Sequence, residues 1–130
     1  MMRVISLSTV FIISVIGLCA ELFFIGHHEG FWQYIPLVLL GFGLFLFILR
    51  TYWSVAEKLF KTVPLLFIVA GFLGIFFHLR SNVAFELEMY PNISGWTLIK
   101  KTVTGALPIL APGGLIPLGL TTYLLTNSKS

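Results

Sequence analysis

The chain has 130 residues, a length for one domain. Hydrophobic residues make up 58% and charged residues only 10%, under half of the roughly 25% usual in soluble domains, so a water-soluble fold of this size is excluded. The eight Lys and Arg that leave a net charge of +3 are scattered, and without a basic face of interleaved stacking residues nucleic acid is not an expected partner.

Residues 4–25 carry one charge, Glu21, close to the far end, and are long enough to cross a bilayer. The single Cys19 cannot form an internal disulfide. Leu18 is too bulky for a lipoprotein-type site, and the apolar run continues to Ile25, so a retained helix is expected instead of a cleaved signal. GHHEG then reverses the chain on its glycines. The second span, 31–49, opens with Trp32 and Tyr34 in the place of an interfacial aromatic belt, and holds Gly41 and Gly43, where small residues let helices approach. Residues 50–61 form a charged connector with Tyr52 and Trp53 as anchors.

The third span begins near Pro64, a residue suited to a first helical turn, and covers 64–80. No breaker interrupts it before Pro91, so it continues as helix to about residue 90, roughly 40 Å in all against roughly 30 Å of hydrocarbon. One end must therefore stand in the headgroups or beyond. On that end His78, Asn82 and Glu86 recur every four residues and share a stripe. An interfacial link, NISGWTLIKKT, follows, with Lys100 and Lys101 beside Trp96. The fourth span, about 104–125, contains Pro108, Pro112 and Pro117 with Gly113 and Gly114. Each proline removes a backbone donor, so a regular helix is not expected around 112–117. Transporters hold substrates on such broken helices; close helix packing accounts for the same residues.

The fold class this implies is all-α: an integral membrane four-helix bundle with an extended third helix and a proline-broken fourth. With the amino terminus in the cytoplasm, Arg3, Arg50, Lys58, Lys61 and Lys129 lie inside and Arg80, Lys100 and Lys101 outside, which agrees with the positive-inside rule. Both termini are then cytoplasmic. Glu21, Glu29, Glu86, Glu88 and all three histidines gather at the outer rim.

Glu21 and His28 are seven residues apart and would share a face if the first helix persisted that far. With His78 and Glu86, and with His27 and Asn82 as further donors, they could form a nitrogen and oxygen set for a transition metal. Haem held by His28 or His27 together with His78 is the second cofactor reading. The plainer reading pairs Glu21 with Arg80 and leaves the histidines as interfacial residues. A full proton path is not expected, because below Glu21 the first helix offers only Ser14, Thr9, Ser8 and Ser6. No nucleophile with its base, phosphate loop or dinucleotide motif is present, so a non-catalytic role is expected.

In HLRSNVAFELEMYP and GALPILAPGGLIPLGL the chain resembles small, uncharacterised bacterial integral membrane proteins of four hydrophobic segments. The resemblance implies a bacterial inner-membrane location, and no functional residue carries over from it. The functional expectation is an accessory subunit packed in a larger membrane complex or against copies of itself. A metal- or haem-binding protein and a small oligomeric transporter are the alternatives.

Overall fold

The computed structural model describes residues 6–128, so Arg3 and Lys129, and the start of the first expected span, lie outside the described residues. Helix α1 is Leu7–Phe24, and the Ser6 side chain caps it by accepting from the Thr9 N–H at 3.2 Å. It ends in a Schellman turn. The His27 N–H donates to the Leu22 carbonyl and the Gly26 N–H to the Phe23 carbonyl. Gly26 takes a φ of +69° there, a conformation that side chains disfavour. Gln33 ties the reversal, its Oε1 accepting from the N–H groups of Glu29 and Gly30.

A 3-10 turn, Phe31–Gln33, leads into α2, Tyr34–Leu49. The expected connector contains a helix that the sequence reading left out: α3, Ser54–Phe60, which buries Ala56 and Phe60. Phe60 lies edge-on to Phe11 with ring centres 5.7 Å apart, and Phe11 lies 4.9 Å from Phe47. Arg50 closes this end, its guanidinium 4.4 Å from the centre of the Phe47 ring and 5.0 Å from that of Phe60. Burial pushes the Arg50 guanidinium below its ordinary pKa, and Glu57 opposes the shift.

Helix α4 runs unbroken from Val63 to Met89, 27 residues and about 40 Å. Pro64 stands at its start, and the helix ends before Pro91. Among the described residues, three helical stretches are long and apolar enough to cross a membrane: Leu7–Phe24, Phe31–Leu49 and Ser54–Met89. The protein is all-helical and of membrane type.

Residues 104–125 do not form one helix. Amphipathic α5, Gly95–Val103, precedes them and occupies much of the expected link. Residues 104–110 are non-helical, Ala111–Gly114 is a 3-10 turn, and α6 is Leu115–Asn127. The break therefore lies ahead of Pro117, not around it. Pro117 is the third residue of α6, where the missing N–H would have had no intrahelical partner. At 13 residues α6 is about 20 Å long, short of the roughly 30 Å a crossing needs.

Helix α1 packs on α2 and α6, and α4 on α6, α5 and α2. The apolar core runs through Phe11, Val15, Leu40, Phe60, Val63, Phe67, Leu115 and Leu118. Most other large apolar side chains point outward, among them Ile13, Phe45 and Phe72, each more than half exposed. Water would penalise such a surface; lipid or a second protein would not.

Candidate functional site: a small-and-polar stripe and a carboxylate cleft

One face of α4 reads Gly71, Gly74, His78, Asn82, Glu86, with steps of three or four residues that keep all five side by side. The whole stripe meets the chain after residue 100. At its glycine half the two backbones nearly touch: a Cβ on Gly74 would stand 2.5 Å from Pro112 Cβ, and one on Gly71 2.7 Å from Ile116 Cγ1. Gly119 returns the approach, its missing Cβ lying 2.9 Å from the Pro64 carbonyl oxygen.

The polar half holds the non-helical stretch. Asn82 is 1% exposed. Its Nδ2 donates to the carbonyls of Thr102 at 3.0 Å and Leu107 at 2.8 Å, and its Oδ1 accepts from the Leu107 N–H at 3.0 Å. This amide thereby supplies backbone partners that a continuous helix would have supplied itself. Gly105 makes room for it, since a Cβ there would fall 2.7 Å from Asn82 Cγ. One turn back, His78 Nδ1 lies 2.9 Å from the Pro108 carbonyl oxygen. A carbonyl only accepts, so Nδ1 carries the proton and donates.

One turn on, Glu86 is buried and faces Lys101, Oε2 to Nζ 3.6 Å. The Lys101 ammonium also sits 3.5 Å from the centre of the Tyr90 ring. Among the described residues, Glu86 Oε2 and Thr102 Oγ1 are buried without a hydrogen-bond partner.

Eighteen helical steps from Asn82 back to Pro64 cover about 27 Å. The facing chain covers that ground from Gly105 to Gly119 in fourteen, about 1.9 Å per residue against 1.5 Å for a helix. The stretch is partly extended, so its backbone needs partners that α4 provides.

The expected ligand set does not assemble: among the described residues, no group of three or more His, Cys, Asp or Glu is placed to hold a metal ion. The Schellman turn is the reason. It ends the helical face of Glu21 before His28 is reached. His28 turns back and stacks on Phe23, ring centres 5.2 Å apart and planes within 10°, and its Nδ1 is buried without a partner among the described residues. His27 Nδ1 lies 3.1 Å from the Gln33 carbonyl oxygen, which only accepts, so Nδ1 carries the proton and donates. His27 and His78 do come near each other, ring centres 6.4 Å apart. Two imidazoles fall short of the three protein ligands usual even in open catalytic zinc sites, and among the described residues no third His, Cys, Asp or Glu joins them.

Glu21 lies elsewhere. It is exposed on α1 and lines an open cleft of about 320 Å³ between α1 and α6, with Ser14, Gly17, Gly114, Pro117 and Thr121. Leu18 and Leu118 supply its apolar wall. The ion pairs among the described residues are Lys61–Glu57 and Lys101–Glu86, so Glu21 is not paired with Arg80. Ser14, Gly17 and Glu21, spaced three and four apart, were the signal for this cleft in the sequence. Comparison with protein-family models, curated proteins and solved structures finds no match.

Proposed function

We propose that the protein is a non-catalytic integral membrane protein of the bacterial inner membrane, an accessory subunit that packs within a larger membrane complex or against its own copies. The observation that carries this is the use of its buried polar side chains. Asn82 and His78 direct their hydrogen bonds to the backbone of residues 102–108, and Glu86 faces Lys101. They maintain a shape; they do not line a path or a reacting centre. The broad apolar surface outside that shape suits a chain that is covered by lipid and by other helices.

In this reading the broken stretch with α6 makes a fourth, composite crossing antiparallel to α4, and both termini lie in the cytoplasm. The near-equal reach of α4 and its facing chain supports the crossing, and the positive residues Lys58 in α3 and Lys61 at its end support the orientation. Purification in mild detergent with light scattering, together with crosslinking in native membranes, tests the role. A stable assembly with defined stoichiometry is expected, and a bare monomer in both settings overturns it. Single cysteines in a Cys19→Ser background test the topology. Glu29→Cys and Glu88→Cys should react with an impermeant thiol reagent from one side and Lys58→Cys from the other.

A further inference from the structure

The cleft between α1 and α6 plays no part in the internal clasp, and it contains the one carboxylate of the α1 membrane-length helix, left without an ion-pair partner among the described residues. We propose that this cleft binds an amphiphilic primary ammonium, either the amine headgroup of a lipid or a small hydrophobic amine. The inference rests on the membrane reading of α1 and is independent of any partner subunit.

Three properties of the cleft specify the ligand. The first is sign. Its polar side chains are Glu21, Ser14 and Thr121, and among the described residues no Lys, Arg, His, Asn or Gln lines it. The Thr121 hydroxyl already donates to the Pro117 carbonyl at 2.9 Å, so its oxygen is left to accept. An acceptor-rich, negatively charged wall favours a cation that brings N–H donors. A carboxylate in a membrane helix that has no ion-pair partner among the described residues is stabilised by such a ligand.

The second property is direction. Glu21 is three residues from the end of α1 at Phe24, whereas Ser14 lies seven residues deeper, about 10 Å along the axis. A ligand with its ammonium at Glu21 therefore has its body pointing toward the bilayer interior, over Gly17 and Pro117 and against Leu18 and Leu118. That is the orientation an amphiphile already has in a leaflet. The third is shape: the groove, about 320 Å³, is open along one side, so it covers a headgroup or small amine on its protein side and leaves the rest to lipid. Gly17 leaves the floor open, for a Cβ there would meet nothing within 4 Å.

The test uses the full chain in nanodiscs of phosphatidylglycerol, which has no amine. Calorimetric titration with 2-phenylethylammonium should give saturable binding with one site per chain, and neutral 2-phenylethanol should bind about tenfold more weakly or worse, since the charge-assisted pair is lost. Glu21→Gln and, independently, Gly17→Leu should each weaken the ammonium by about tenfold or more, with unchanged far-ultraviolet circular dichroism. Discs containing phosphatidylethanolamine then separate the two sources: a several-fold fall in apparent affinity identifies the lipid headgroup as occupant, and an unchanged affinity identifies a free amine. Equal binding by the two variants, equal binding of the alcohol, or no saturable binding overturns the proposal. If the ammonium does not bind and Glu21→Gln turns an assembly into monomers, the carboxylate belongs to an interface with another copy, and the proposal fails while the accessory role stands.

Discussion

Replacing Asn82 with Ala removes three hydrogen bonds at once and leaves the Leu107 N–H and carbonyl facing a site only 1% exposed, while the Thr102 carbonyl keeps the Gly105 N–H at 3.4 Å. In soluble proteins such bonds are worth about 1 kcal/mol each, and a buried group left unsatisfied costs about 1–3 kcal/mol. Measured values within membrane proteins average nearer 0.6 kcal/mol per bond. Asn82 stands about 28 Å along α4 from Val63, near the limit of the hydrocarbon, so both scales apply and the loss is about 2–4 kcal/mol. A loss in the middle of that range is roughly a hundredfold in the open-to-closed ratio of the 102–108 stretch. Hydrogen exchange at the Leu107 amide reads that ratio directly, and its protection should fall by about that factor. Asn82→Asp should be at least as damaging, because it keeps an acceptor for Leu107 but sets an anion against two carbonyl oxygens. An Asn82→Ala chain whose Leu107 amide exchanges no faster than native, with detergent-solubilised thermal stability unchanged, would refute the clasp.

Gly74→Ala, whose Cβ would meet the Pro112 ring at 2.5 Å, should destabilise by about 1–3 kcal/mol in thermal unfolding. Gly17→Ala and Gly41→Ala meet nothing and should be neutral or stabilising by up to about 1 kcal/mol. Arg50→Ala should cost about 1 kcal/mol through loss of its stacking on Phe47 and Phe60, and proteolysis near α3 should quicken with it. Lys101→Met should lower stability more than Lys100→Met, since Lys101 meets Glu86 and the Tyr90 ring; equal effects on the melting temperature would show that the pair contributes little.

Much of the helical layout was legible in the letters because membrane helices are selected by composition and length, and both are local. Apolar runs at 4–25 and 31–49 foretold α1 and α2, and the distance from Pro64 to Pro91 foretold the length of α4. Helix α3 was missed because its seven residues mix charges with two buried positions, Ala56 and Phe60, too short a stretch for periodicity to register. The proline break was anticipated but drawn too far along the chain: Pro112 lies in a 3-10 turn, Pro117 fits a first helical turn, and the irregular backbone begins earlier, at 104–110. His78, Asn82 and Glu86 were visible as one stripe, yet their role was not, because the distances that define it join residues 15 to 30 positions apart.

By itself the sequence determined that the chain is helical, apolar on the scale of a membrane, and extended along one long central helix, since each of these follows from neighbours a few residues away. Tertiary structure alone decided that His78 and Asn82 serve as partners of the 102–108 backbone and that Glu21 and His28 part company. That outcome depends on the αL turn at Gly26, which ends the Glu21 face before His28, and on the register that brings Gly105 and Leu107 onto Asn82. Such register is a sum of close contacts between distant segments, and no local pattern encodes it.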